Sequence, residues 1–106
     1  MSIPQSGSIP LEHHNQLAEY LADGCKPKSD WRIGTEHEKF GYDKAGLNPL
    51  PYNDFCGIKA MLEGLQEGFG WKPVEEDGNI IGLTKGGANV SLEPGGQLEL
   101  SGAPLE

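Results

Sequence analysis

Up to Gly70 the apolar residues recur mainly at helical spacing; beyond it they alternate with polar ones. Leu11, His14, Leu17, Ala18 and Leu21 share one face of a helix predicted from Pro10 through Ala22, with Asp23-Gly24 and then Pro27 as its stop. Phe55, Ile58, Met61, Leu62, Leu65 and Phe69 form the stripe of a second helix, for which Asn53 or Asp54 is the expected cap. Between them, Trp31 to Tyr42 reads as a strand. Trp31, Ile33, Thr35 and His37 point one way, and Arg32, Gly34, Glu36, Glu38 and Phe40 the other. The turn residues at 43–46 predict a short hairpin return near Leu47.

After Gly70, strands are predicted at 71–75, 80–83, 89–93 and 97–101, separated by turn chemistry at 76–79, 85–87 and 94–96. In the last strand Leu98 and Leu100 are expected to face a core, and Gln97, Glu99 and Ser101 to face away. The expected class is α+β: an antiparallel sheet with helices against its apolar face. Residues 1–10 are expected to be a flexible lead-in, and 11–106 to be one unit. Because the chain stops directly after a strand, with nothing to close the sheet, it is expected to be a piece of something longer, with an open edge through which the last strand could join a second copy.

Composition narrows this picture. A chain of 106 residues is one domain at most, and 16 glycines with 8 prolines suit a loop-rich sheet. A net charge of -8 argues against a nucleic-acid partner and suits cation binding, although an acidic surface serves solubility just as often. No stretch is long and apolar enough for a membrane span, and the first ten residues have neither a basic start nor arginine, so the default expectation is cytoplasmic. Cys25 and Cys56 have no metal-ligand spacing and are expected to be reduced thiols, with a regulatory disulfide left open. His13 and His14 read as helix-surface residues, and His37 as a core residue.

The candidate chemistry lies in glutamates. Glu36 and Glu38 share a strand face; Glu93 ends a strand beside Pro94-Gly95-Gly96; Glu99 projects from the polar face of the next one. Two like charges at ~4 Å cost about 4 kcal/mol at an effective dielectric near 20. On an open face solvent screens that repulsion, and alternating polar positions usually mean no more than a wet face. Glutamate is nevertheless a poor strand former, and Gly34 and Gly95-Gly96 leave room for close approach to the backbone. Gathered in a concavity, all-oxygen donors select a hard ion, Mg²⁺ or Mn²⁺ before Zn²⁺. No nucleophilic triad, P-loop or glycosidase-like carboxylate pair is present.

The stretches "WRIGTEHEKFGY" (31–42), "NIIGL" (79–83) and "VSLEPGGQLELSGAPLE" (90–106) resemble the N-terminal part of glutamate–cysteine ligases of the plant and proteobacterial type. Tyr42 and Leu98 depart from that pattern, where aromatics are expected. The resemblance implies a curved sheet that is part of a glutamine synthetase-like catalytic core. It also implies ATP-dependent joining of the γ-carboxylate of glutamate to the amine of cysteine through an acyl phosphate, the first step of glutathione synthesis. Glutamate, cysteine and ATP would be the small-molecule partners. Glu36, Glu38, Glu93 and Glu99 would ligate Mg²⁺, or Mn²⁺ in its place; Gln97 and Ser101 would touch substrate, and Arg32 would make a structural ion pair. The family protein is several times longer, so the 106-residue chain alone is expected to be inactive. The competing reading is a non-catalytic acidic module that binds divalent cations or a partner.

Overall fold

The computed structural model describes residues 10–106, so the lead-in expected over 1–10 lies, apart from Pro10, outside the described residues. The elements are α1 (Asn15–Asp23), a short 3-10 turn (Lys28–Asp30), β1 (Glu36–Phe40), α2 (Ile58–Phe69), β2 (Lys72–Glu76), β3 (Asn79–Lys85), β4 (Ala88–Glu93) and β5 (Gln97–Ser101). The strands form one antiparallel sheet in the order β1-β5-β4-β3-β2. The α+β expectation therefore holds.

α1 begins five residues later than its periodicity suggested, because the Gln16 side chain reaches back: its Oε1 accepts the N–H of Glu12 at 2.6 Å and of His13 at 3.1 Å. None of its residues is buried, and Leu17 and Leu21 stay exposed, so of the two expected helices only α2 is packed on the sheet. α2 starts at Ile58 and not behind Asn53 or Asp54. Its first N–H groups are satisfied by backbone: Ile58 donates to the Pro51 carbonyl at 3.0 Å and Lys59 to that of Tyr52 at 3.2 Å. The N-cap is Gly57, where a Cβ would lie 2.4 Å from the Pro51 oxygen. The approach of that carbonyl demands glycine and moves the helix start past Phe55, which is left exposed.

The core is small. Ile58 and Leu62 of α2 meet Ile80, Leu83 and Val90 of the sheet, with Leu50, Tyr52, Leu65 and Trp71 packed around them. Strict alternation along β3 would put Ile80 and Leu83 on opposite faces. The β2–β3 register shifts between Val74 and Glu75, leaving Ile81 as an extra residue, and this bulge lets both point at α2. Tyr52 donates its hydroxyl to the Ile80 carbonyl at 2.8 Å. Burial and the nearby Glu63 charge push its pKa up.

The predicted turns are present, Asp77-Gly78 joining β2 to β3 and Gly86-Gly87 joining β3 to β4, all at positive φ. The return after β1 is built around Asp43. Its carboxylate accepts the N–H of Gly46 at 2.5 Å and of Asn48 at 2.9 Å, and those bonds hold its pKa below the usual 3.8. Outside β1 the expected long strand survives as single bridges, Ile33 with Leu105 and Tyr42 with Pro49.

β5 is an interior strand, lying between β1 and β4, which removes the expectation of pairing through the last strand. The edges are β1 and β2, and β2 carries Pro73. Among the described residues no helix is long and apolar enough to cross a membrane.

Candidate functional site

The register turns the sequence-separated glutamates into rows. Glu38 lies opposite Glu99, and Glu99 opposite Ser91. One row along, Glu36 faces Ser101 and Ser101 faces Asn89; on the other side, Phe40 faces Gln97 and Gln97 faces Glu93. All these positions share one face of the sheet, across three adjacent strands whose neighbours are about 5 Å apart. Glu36, Glu38, Glu93 and Glu99 are thus brought to one face, and Gln97 and Ser101 with them.

Their environments differ. Glu99 is 5 % exposed and Ser101 7 %, whereas Glu36 and Glu38 are exposed throughout β1. A buried carboxylate is costly unless its oxygens are hydrogen-bonded. Here the Ser101 hydroxyl donates to Glu99 Oε1 at 2.7 Å, and the Ser91 hydroxyl to Glu93 Oε1 at 2.8 Å. Ser91, 2 % exposed, and the buried Asn89 complete this polar floor, and neither stood out in the sequence. The available signal was parity: 89, 91 and 93 alternate on the face that Glu93 defines.

Burial on β5 is the reverse of the expected one. Leu100 is 39 % exposed, while the two polar residues flanking it are buried. The side-chain alternation is as read, but α2 lies over β3 and leaves the apolar side of β1 and β5 uncovered. A groove of about 630 Å³ results, bordered by His37, Met61, Leu65, Trp71, Leu98 and Leu100. His37, expected in the core, is exposed on that groove.

In donor chemistry the polar face fits a hard divalent cation, since carboxylates and hydroxyls line it without thiol or imidazole. Its side chains are not yet convergent. Among the described residues no three His, Cys, Asp or Glu side chains are gathered as a metal site. Gly95 and Gly96, expected to leave room for an approaching group, instead serve the turn: both have φ near +80°, with open space where a Cβ would be. Arg32 pairs with Glu106 at 3.2 Å, a largely solvated contact away from the carboxylate rows. Cys25 and Cys56 are both free and exposed.

Comparison with known proteins adds an independent line. Residues 32–106 match the family described as glutamate-cysteine ligase family 2 (GCS2). The chain is 56 % identical over 90 residues to the chloroplastic glutamate–cysteine ligase A of Oryza sativa subsp. japonica, covering 85 % of this chain and 18 % of that protein. It is 57 % identical over 90 residues to the chloroplastic glutamate–cysteine ligase of Medicago truncatula, covering 85 % of this chain and 17 % of that protein. Identity to the Arabidopsis thaliana chloroplastic protein is 53 % over 97 residues, covering 92 % of this chain and 18 % of that protein. The chain thus spans less than a fifth of the length of these relatives. Their names overturn the cytoplasmic expectation, which rested on the lack of a leader pattern in ten residues and on a default.

Proposed function

The chain belongs to glutamate-cysteine ligase family 2, and from that premise we propose that residues 11–106 are the N-terminal portion of a ligase catalytic domain. In the complete protein that domain joins the γ-carboxylate of glutamate to the amine of cysteine at the expense of ATP. The product is γ-glutamylcysteine, and the route is an acyl phosphate. The relatives point to a plastid as the compartment.

The observation that carries this reading is the shared face of Glu36, Glu38, Glu93 and Glu99. We assign to these four the holding of Mg²⁺, for which Mn²⁺ could substitute. When bound, the ion supplies positive charge to the phosphates of ATP. The chain's own contribution is graded. Glu99 is fixed at the floor by Ser101 and Glu93 is oriented by Ser91, while Glu36 and Glu38 on β1 stay free to swing toward them. Gln97, on the row between Phe40 and Glu93, presents an amide to substrate beside those carboxylates. Ser101 is a substrate contact only if its hydroxyl leaves Glu99.

Isothermal titration of the full chain with Mg²⁺ and Mn²⁺ tests the assignment. Saturable binding is expected, weakened about tenfold or more in the Glu36→Gln/Glu38→Gln double variant. No binding by the natural chain, or equal binding by the double variant, would remove β1 from the site.

A further inference from the structure

Among the described residues, two apolar surfaces lack a partner within the chain. One is the groove of about 630 Å³ beside α2, over the side of β1 and β5 that the helix leaves uncovered. The other is α1, none of whose residues is buried; Leu17 is 54 % exposed and Leu21 74 %. Leu17, Ala18 and Leu21, with His14 just ahead of them, share one face of that helix. Its charged residues, Glu19 and Asp23, lie on the opposite face.

The groove has the form of a helix seat. Its floor is Leu98 and Leu100 of β5, and its α2 wall is Met61 and Leu65. One step further round α2 come Gly64 and Gly68, a turn apart, each with open space where a Cβ would stand. A second helix can therefore lie close against α2 there, near the lower end of helix spacings at about 8 Å. The β1 wall carries Lys39 and His37, paired in register with Leu98 and Leu100. α1 contains no lysine or arginine, so no like charge meets that wall. Glu99 also borders the groove, but its Oε1 is held by the Ser101 hydroxyl on the other face of the sheet.

The chain's own α1 is kept from this seat. Behind it, Trp31 donates its indole N–H to the Lys26 carbonyl at 2.9 Å, and Arg32 donates to the carbonyls of Ser29 and Trp31. Ile33 and Leu105 then exchange both backbone bonds. Gly24, where α1 ends, borders one depression with Ile33, Gly34 and Pro104. Ile33 precedes His37 by four residues, about 13 Å of extended chain. Leu21 lies only about 4.5 Å along the helix from Gly24 and cannot span that distance while those bonds stand. A second copy is under no such restraint.

We propose that α1 of one copy seats in the groove between α2, β1 and β5 of another, and the reverse, so that each copy offers one helix and accepts one. Such reciprocal exchange closes at two copies. The contact uses the side of the sheet opposite the carboxylate rows, so it does not depend on the ligase reading.

The experiment is sedimentation velocity of the full chain over a concentration series, in reducing buffer so that the exposed Cys25 and Cys56 cannot link copies. Reversible exchange between monomer and dimer is expected. Leu17→Glu/Leu21→Glu places charge on a face that is solvated in the lone chain, so folding is kept while dimerisation weakens about tenfold or more. Gly68→Leu acts from the other side. It favours α2, obstructs the approach to it, and should weaken dimerisation about fivefold or more. A chain that stays monomeric throughout overturns the exchange. So does a dimer that either variant leaves unchanged, which would place the contact on another surface such as the β1 edge.

Discussion

β3 runs beneath α2 with Leu83 at 0 % and Ile80 at 5 % exposure, whereas β5, two places along the same sheet, buries Glu99 and leaves Leu100 at 39 %. The two regions share a backbone ladder and differ in what fills their faces. Around β3 the enclosed side is apolar and closed by a helix. Around β5 the enclosed side is polar and closed by serine–carboxylate hydrogen bonds, and the apolar side is open. Stability is therefore concentrated at one end of the sheet, and the candidate chemistry at the other. A site on β1 and β5 can change its side-chain arrangement without disturbing the packing that holds the chain folded.

That division can be broken or sharpened by substitution. The largest loss is expected from Leu62→Ala, which empties a fully buried position under α2 and should cost about 3 kcal/mol in urea unfolding. Leu100→Ala is the matched control and should cost less than about 1 kcal/mol, since the residue is already half in solvent. Equal losses would erase the contrast. Gly57→Ala should cost about 2 kcal/mol, because the new methyl meets the Pro51 carbonyl that terminates α2. Tyr52→Phe removes the bond to the Ile80 carbonyl and should cost about 1 kcal/mol. Glu38→Gln, on the polar side, should shift stability by no more than about 0.5 kcal/mol, in the stabilising direction if Glu99 repels it.

The smallest effect concerns pH at the loop after β1. The folded-state pKa of Asp43 lies below its ordinary 3.8, so the loop's contribution is complete above that value. It is lost as the pH falls through the lowered folded value. An NMR titration should find the Asp43 carboxylate midpoint below 3.8 in the folded chain and restored only in part in Asn48→Gly, which removes the Asn48 side-chain donor but keeps the backbone N–H groups of Gly46 and residue 48.

Much of this was readable from residues alone. Asp77-Gly78 and Gly86-Gly87 announce their hairpins, and the spacing of Ile58, Leu62 and Leu65 announces α2, because turn geometry and helical period are local properties. Three things were not local. The start of α2 is decided by the Pro51 and Tyr52 carbonyls rather than by a capping side chain. The bulge at Ile81 appears only once β2 is paired with β3. The burial of Glu99 depends on which part of the sheet α2 covers, and periodicity along β5 carries no information about that. For the site, the Glu36–Glu38 spacing revealed a shared face, but the Glu38–Glu99–Ser91 row needed the register of two strand pairs.

The two borders of the sheet are unequal as well. In β2, Pro73 offers no N–H and the neighbouring register shift bends the ladder, so that border is a poor template for another strand. β1 contains no proline and exposes all five of its residues. If two chains of this kind meet edge to edge, they should join through Glu36–Phe40 and stop there, since each partner then presents only its inert β2 flank.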